Sequence, residues 1–355
     1  MVLYNYRCIS IFIVVAFIFC QMGVCQQTGS FQELTLKITT TVKEVLPMEP
    51  MPITITLSND TDTPITGHIQ IDPGCGILKI YVAKADKPFE QFHSSDRPAI
   101  TGIRGEDVLK PGFHTSFSGY LFYAHPSKLD KGQRGQYLFE SPGVYHIKAT
   151  FEDLDGEKKI ESDVLTIKTT QPTGEDAATY EFLKNLKENQ DKDVYYGNFL
   201  LTWVDRSITA KAQKILDKKE EFISRFPNSR YARYVYYSLG DNYRLGAGKE
   251  VKRGIDLLEK AASYEDFFLA EDSLLKLIET FSEQGETSKA WKYKKILARR
   301  FPDSDEGSDY LEQVYMAKPQ RQRFAWPLLL FGVAALFVFL CLALLLVKKA
   351  IRRGK

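Results

Sequence analysis

The side chains best suited to chemistry in this sequence are its five histidines, which all fall between residues 68 and 146: His68, His93, His114, His125 and His146. A zinc site requires ligands at short, fixed spacings, such as paired histidines or a cysteine–histidine cluster, and the sequence has neither. The one cysteine in the same region, Cys75, has no adjacent basic residue that would activate its thiol. We therefore predict surface histidines, a turn cysteine, and neither a metal nor a cofactor.

A phosphate-binding loop is the catalytic motif that the sequence approaches most closely. Gly246-Ala247-Gly248-Lys249 has glycine before lysine, but a P-loop also needs a glycine five residues before the Gly-Lys pair and Ser or Thr after it. Tyr243 and Glu250 occupy those two positions. The Gly-x-Ser-x-Gly motif of hydrolases is also absent. The sequence predicts no catalytic residues and no enzyme, and an enzyme ranks third behind two kinds of binding protein.

The N-terminus is predicted to be a secretory signal peptide, residues 1–25. Arg7 precedes an eleven-residue apolar run, Ile9 to Phe19, and small residues follow before Gln26. Eleven residues are too few to cross a hydrocarbon core of about 30 Å, so a cleaved signal is favoured over an uncleaved anchor. A lipidated Cys25 is the remaining alternative.

The C-terminus is predicted to anchor the protein in a membrane. Residues 326–347 are expected to form a transmembrane helix, because 21 of them, from Pro327 to Val347, follow one another without a charge. A juxtamembrane linker, 318–325, comes before it. The tail, 348–355, carries five basic residues, which favour a cytoplasmic C-terminus near anionic lipid. We expect a single-pass cell-membrane protein with its N-terminal body in the periplasm or outside the cell.

Composition indicates that the body between these segments is globular. The 355-residue chain has 47 Lys+Arg against 45 Asp+Glu, a formal charge of +2, and is 44% hydrophobic. This balance argues against a disordered chain and against a nucleic-acid partner. Besides Cys75, the cysteines lie in the predicted signal or span, so an intramolecular disulfide requires that Cys25 survive processing.

Residues 26–172 show the period-two alternation of β-strands. Apolar side chains at Leu34, Leu36 and Ile38 alternate with polar ones, and turn signals such as Asp72-Pro73-Gly74 separate such runs. About seven short strands predict an antiparallel β-sandwich. Gly143-Val144-Tyr145-His146-Ile147 is similar to the tyrosine corner of immunoglobulin and fibronectin-III-like domains. The segment therefore resembles that class, although it lacks the characteristic Cys…Trp…Cys spacing.

Residues 173–317 show helical periodicity and an internal duplication. Arg225-Phe226-Pro227-Asn228-Ser229 recurs as Arg300-Phe301-Pro302-Asp303-Ser304, 75 residues later, and the serine is expected to cap the next helix. Residues from Lys276 onward match the tetratricopeptide (TPR) pattern without gaps: Leu277, Ile278, Phe281, Gly285, Ala290, Leu297 and Pro302. The segment thus resembles the TPR proteins of bacterial cell envelopes, which implies an α-helical solenoid of three units, with a leading helix near 175–189 and a capping helix near 305–316.

The TPR resemblance also implies a set of partner-binding residues on the concave face of the first helices. They are Tyr234, Tyr237, Asp241, Arg244, Asp272, Leu275 and Glu279. Aromatic side chains beside charges are typical of peptide-binding surfaces. The alternative is that the tyrosines fill helix–helix contacts. If Tyr237 binds a partner, Tyr237→Ala should weaken binding and leave thermal unfolding nearly unchanged.

The sequence as a whole predicts a membrane-anchored scaffold protein that docks a protein or peptide on its TPR-like groove. The alternative is surface adhesion or glycan binding by the β-sandwich, which is suggested by Phe89, Phe92 and Phe113 in predicted loops.

Overall fold

The computed structural model describes residues 29–67, 69, 71, 77–85, 87–92, 107–124, 136–153, 156–188, 198–202, 204, 210–245 and 250–302. The chain divides into two compact units. The first takes the residues up to 199 together with 228–231, and the second takes residues 200–227 and the chain from 232 onward. The short segment 228–231 therefore belongs to the first unit, although the residues on either side of it belong to the second.

The first unit is built mainly from β-strands. Its described strands are β1 (Leu34–Thr39), β2 (Glu44–Val45), β3 (Met51–Asn59), β4 (Ile65–Gly67), β5 (Leu78–Lys84), β6 (Glu90–Phe92), β7 (Asp107–Leu109), β8 (His114–Leu121), β9 (Tyr123–Ala124), β10 (Gln136–Tyr137), β11 (Gly143–Glu152), β12 (Lys159–Glu161) and β13 (Leu165–Thr169). One sheet has the order β1-β3-β8, and a six-stranded sheet has the order β2-β13-β11-β5-β6, with β12 also paired to β11. Two-stranded sheets join β4 to β7 and β9 to β10.

The alternating sequence pattern determines which face of each strand is buried. In β3, the side chains of Met51, Ile53, Ile55 and Leu57 are at most 2% exposed, and the residues between them are half-buried. The inward rows of β1, β3, β5 and β11 join one hydrophobic cluster, so the two larger sheets share a core. Each fully buried Leu or Ile side chain contributes roughly 1.5–3 kcal/mol to folding.

The sheet arrangement shows that the prediction of an immunoglobulin-like sandwich is wrong. The six-stranded sheet is mixed, because β2 pairs in parallel with β13 through Lys168 opposite Glu44. The one bond expected of a tyrosine corner is present, since the Tyr145 hydroxyl donates to the Ser141 carbonyl at 2.9 Å. Periodicity specifies the inward face of a strand but not its neighbours, which is why it could not give the strand order.

The remaining regular structure is helical. Helix α1 (Gly174–Glu188) belongs to the first unit; the second contains α2 (Ala210–Arg225), α3 (Ala232–Arg244), α4 (Val251–Ala262), α5 (Ala270–Glu283) and α6 (Thr287–Arg300). Helices α3 and α4 lie in close contact at two glycines, Gly240 and Gly254. A Cβ atom on Gly254 would lie 2.8 Å from the Gly240 carbonyl oxygen and 2.6 Å from the Arg244 nitrogen, so this crossing excludes any side chain.

The predicted TPR solenoid is also wrong. A solenoid stacks all its helix pairs in one array, but α1, the predicted leading helix, belongs to the first unit, where the Tyr180 hydroxyl donates to the Glu140 carbonyl at 2.7 Å. The first copy of the duplicated string runs into the 228–231 segment of the first unit, and Asp303 and Ser304 of the second copy lie outside the described residues. Ser229, expected to cap the following helix, donates its hydroxyl to Asp176 of α1 at 2.8 Å and accepts from the Tyr231 amide, just before α3, at 3.2 Å. The predicted capping helix, 305–316, lies outside the described residues.

The expected membrane protein is corrected as well. In the part of the chain that the structure describes, we find no helix with the length and apolar character that a bilayer crossing requires. This finding contradicts the single-pass localisation. The predicted signal (1–25), linker (318–325), span (326–347) and tail (348–355) are themselves outside the described residues.

Candidate functional site

The seven residues predicted to bind a partner all lie in the helical unit, four on α3 and three on α5. Tyr234 differs from the rest because it is only 1% exposed. Its ring meets Phe267 edge-on at 5.1 Å, and the Arg233 guanidinium lies over both rings. Tyr234 is therefore part of the core and cannot contact a partner.

The polar members of the predicted set form one network between α3 and α5. The Tyr237 hydroxyl donates to Asp272 Oδ2 at 2.5 Å. Arg244 pairs with Asp241 at 2.7 Å (Nε to Oδ1) and with Glu279 at 3.0 Å (Nη1 to Oε2). Residues four and seven apart on a helix lie on the same face, which is why Tyr237, Asp241 and Arg244 of α3 line up opposite Asp272 and Glu279 of α5.

Lys276 is a member of this network that sequence reasoning missed. Its Nζ lies 3.3 Å from Asp241 Oδ2 and 3.5 Å from Asp272 Oδ2, and 5.7 Å from the centre of the Tyr237 ring. Its position four residues after Asp272 is a sequence signal for an ion pair on a helix. Leu275 is half-buried and packs against the core of the helical unit. We call Tyr237, Asp241, Arg244, Asp272, Leu275, Lys276 and Glu279 the α3–α5 face.

The charges of the α3–α5 face are arranged by depth. The cationic side chains are the inner groups, with Arg244 7% exposed and Lys276 18% exposed. Two of the three carboxylates are the outer groups, with Asp272 42% exposed and Glu279 55% exposed. The face therefore presents negative charge to solvent, held in position by cations beneath it. Such an arrangement can recognise a cation or a basic side chain by charge and hydrogen bonding.

A buried lysine lies in the same unit. Lys219 of α2 is 0% exposed, and its ammonium donates to the Thr202 carbonyl at 2.8 Å and to the Ser238 hydroxyl at 2.7 Å. Burial lowers the pKa of Lys219 to about 7, and the carboxylate of Asp241 opposes part of that shift. A side chain this enclosed joins the 198–204 segment to α2 and α3, and it is not accessible to a substrate.

The histidines are not brought together in the described residues. His114 is exposed at the start of β8, and His146 Nδ1 lies 3.1 Å from the Thr166 hydroxyl on the neighbouring strand. Within the ranges that the structure describes, no three His, Cys, Asp or Glu side chains are grouped so as to hold a metal ion. His68, His93, His125 and Cys75 lie outside those ranges, as does the Gly246–Lys249 segment.

Comparison with known proteins does not assign this chain to a family. No protein-family model matches it, and no curated protein matches it. Among solved structures, a β-glucosidase from Listeria innocua in complex with glucose is similar over 41% of this chain and 17% of its own, with 14% identity and a TM-score of 0.24. The sporulation control protein Spo0M from Bacillus subtilis is similar over 44% of this chain and 55% of its own, with 12% identity and a TM-score of 0.23.

AvmM, which catalyses macrocyclization in alchivemycin A biosynthesis, is similar over 40% of this chain and 92% of its own, with 9% identity and a TM-score of 0.20. The chain thus spans only a small part of the glucosidase's length. Likenesses this weak support no conclusion about fold or activity.

Proposed function

We propose that this protein is a binding protein that docks a basic polypeptide segment, rich in lysine or arginine, on the α3–α5 face of its helical unit. The observation that supports this proposal is that two of the three carboxylates of this face are more exposed to solvent than its cations. Asp272 and Glu279 are the exposed groups, whereas Arg244 and Lys276 are mostly covered. A partner that approaches from solvent meets carboxylates first.

The same face offers apolar contact beside the charges. Tyr237 and Leu275 are both half-buried and rest on the hydrophobic core of the helical unit. The Tyr237 ring is fixed by its hydrogen bond to Asp272 and by the Lys276 ammonium near its face. Ordered aromatic groups lose little conformational freedom on binding, so they add affinity at low entropic cost. A segment in which basic residues flank an apolar one would match this surface.

The proposal can be tested by selecting phage-displayed random 12-residue peptides on the immobilised full-length protein. We expect the enriched peptides to carry net positive charge. The affinity of an enriched peptide, measured by fluorescence anisotropy, should fall about tenfold when Asp272→Asn and Glu279→Gln are combined, since each exposed charge pair contributes up to about 1 kcal/mol.

A matched control removes two carboxylates elsewhere in the same unit. Asp256 and Glu265 are exposed and lie outside the α3–α5 face, so Asp256→Asn with Glu265→Gln changes the total charge equally. This control should leave the affinity nearly unchanged. Equal weakening by the two double variants, or enriched peptides without a basic bias, would contradict the proposal.

Glycan binding by the first unit, the alternative from the sequence, has less support. Phe92 lies at the end of β6 and packs against the core. Phe89 and Phe113 are exposed, at 37% and 60%. However, Phe89 precedes a strand of the six-stranded sheet, and Phe113 precedes a strand of the three-stranded sheet. The two exposed rings are therefore not neighbours on one strand or one hairpin.

A further inference from the structure

Helix α6 carries an unusual excess of positive charge. Its fourteen residues include no Asp or Glu and six basic side chains: Lys289, Lys292, Lys294, Lys295, Arg299 and Arg300. Two of these form an ion pair or hydrogen bonds within the helical unit, and the Lys292 ammonium lies 5.1 Å from the centre of the Tyr293 ring. Lys289 pairs with Glu286 at 2.5 Å, and Arg300 donates to the carbonyls of Ala262 and Tyr264. The Lys294 ammonium lies 5.8 Å from the centre of the Trp291 ring.

The other three cations share one face of the helix with Trp291. At 100° and 1.5 Å per residue, Trp291, Lys292, Lys295 and Arg299 fall within an arc of about 100° over about 12 Å. All four are exposed, and Trp291 is 42% exposed. The buried residues of α6, such as Ala290 and Leu297, face the core instead. We call these four residues the α6 stripe.

The α6 stripe has no counter-charge in the described structure. Within the described ranges, no carboxylate lies within ion-pair distance of Lys292, Lys295 or Arg299, although other lysines of the unit do pair. Three aligned cations repel one another, so an anionic group placed on them relieves that repulsion as well as forming new pairs. Trp291 adds a large apolar surface with a donor at its edge, which is the kind of side chain that anchors protein interfaces.

The neighbouring helix limits what kind of anion can bind. Helix α5 packs against α6 in one hydrophobic cluster and carries Glu271, Asp272, Glu279 and Glu283 against a single Lys276. Packed helices lie about 8–10 Å apart, which is within the Debye length of about 10 Å at 0.1 M salt. A long polyanion or an extended anionic surface would reach beyond the stripe and approach those carboxylates. A short acidic segment would not.

From this charge complementarity we propose that the α6 stripe is a second docking surface, and that its partner is a short acidic polypeptide segment with an apolar residue that contacts Trp291. Its carboxylates would pair with Lys292, Lys295 and Arg299. This site is separate from the α3–α5 face and takes ligands of the opposite charge. The helical unit would then join two partners of unlike charge.

The test uses the full-length protein with Trp203→Phe and Trp326→Phe, which leaves Trp291 as the only tryptophan. The probe is a six-residue peptide with two glutamates on each side of a central Leu-Leu pair, which spans at most about 20 Å. Binding should shift the Trp291 emission to shorter wavelength, and raising the salt concentration should weaken the binding.

Lys292→Glu with Lys295→Glu should reduce the affinity about tenfold or more. Lys252→Glu with Lys260→Glu on α4 changes the total charge equally and should have little effect; both lysines are exposed.

Several outcomes would overturn the proposal. One is that the acidic peptide causes no shift in the Trp291 emission. Another is that the α4 and α6 double variants weaken peptide binding equally, while circular dichroism shows that both are folded. A twelve-nucleotide oligo-dT or phosphatidylserine vesicles could bind more tightly than the acidic peptide. If the Lys292→Glu, Lys295→Glu variant loses that binding, the stripe would be assigned to nucleic acid or to lipid. Dissociation of a dimer by the α6 variant would assign it to a second copy. If the peptide binds only after the five carboxylates of residues 303–312 are neutralised, the stripe would be assigned to the chain's own acidic segment.

Discussion

Among the described residues, each of the two units has a charged side chain that is at most 1% exposed, and the two charges are stabilised differently. In the first unit, Glu49 is 1% exposed, and its carboxylate accepts from Arg230 Nε and from the Leu46 amide, both at 2.8 Å. In the helical unit, Lys219 is 0% exposed, and the oxygens of Thr202 and Ser238 that it contacts are neutral. An opposite charge in contact offsets the desolvation of Glu49. Lys219 has no such contact among the described residues, so burial lowers its pKa.

The largest effect on the free energy of unfolding is expected from removing Arg230, the residue that pairs with Glu49 in the first unit. Arg230→Met leaves the buried Glu49 carboxylate without its guanidinium, which should lower the free energy of unfolding by about 3 kcal/mol. Urea denaturation measures the loss, and hydrogen exchange should place it in the strands of the first unit and leave α3–α6 protected.

Substitution of the other member of the ion pair, Glu49→Gln, provides the control for that prediction. Arg230 is 32% exposed, so the guanidinium left by Glu49→Gln can still reach water, and the amide oxygen of glutamine can still accept from Leu46. We expect Glu49→Gln to cost less than Arg230→Met. If the two cost the same, the penalty would come from lost packing and not from the lost charge pair.

The buried lysine should make the stability of the helical unit depend on pH. Lys219 has a pKa of about 7 when folded, against 10.5 for an ordinary lysine, so between these values the unfolded chain binds more protons than the folded one. The free energy of unfolding should therefore rise as the pH rises from 7 to 9, by roughly 1 kcal/mol per pH unit. Well below pH 7 both states are protonated and this contribution stays constant.

Lys219→Met should abolish that pH slope, which urea denaturation at pH 6, 7, 8 and 9 would show. Lys218→Met is the matched control, because Lys218 is the preceding residue, is 32% exposed and pairs with Glu221 at 2.6 Å. Its removal should leave the slope intact. A slope that persists in Lys219→Met would mean that another group titrates in this range.

The smallest effect on stability is expected on the α3–α5 face, where the Asp272 carboxylate is only partly buried. Tyr237→Phe removes the hydrogen bond to Asp272, and because Asp272 is 42% exposed, water replaces most of it. Differential scanning calorimetry should report a loss of about 1 kcal/mol or less. Tyr237→Ala should cost clearly more, since the ring packs on the helical core. This differs from the sequence-based expectation for that variant, and it makes Tyr237→Phe the better probe of binding.

Local spacing in the sequence predicted which side chains of α3 lie on one face, although it did not predict the fold. Tyr237, Asp241 and Arg244 share a face because any α-helix places residues four and seven apart together, whether or not the helix belongs to a TPR unit. The same spacing cannot say how deep a residue lies. Tyr234 was predicted to face a partner, but it is covered by Phe267, which comes from a separate turn 33 residues later.

Long-range pairing could not be predicted from periodicity. The bond between Arg230 and Glu49 joins residues 181 positions apart, and the parallel pairing of β2 with β13 joins the two ends of the β-rich region. Neither leaves a local pattern in the sequence. The duplicated Arg-Phe-Pro string had a strong local signal, but its first copy runs into the 228–231 segment, where contacts with α1 determine its structure.

The return of residues 228–231 to the first unit restricts the order in which the chain can fold during synthesis. Glu49 and its strands leave the ribosome long before Arg230, and α2 is made in between. Synthesis proceeds at about 5–20 residues per second, so Arg230 is made roughly 10–40 s after Glu49. A stall between 199 and 228 would leave the first unit without Arg230 and without Tyr231, whose hydroxyl donates to the Pro47 carbonyl. The β-rich unit is encoded first, but it is completed only after α2 of the helical unit has been made.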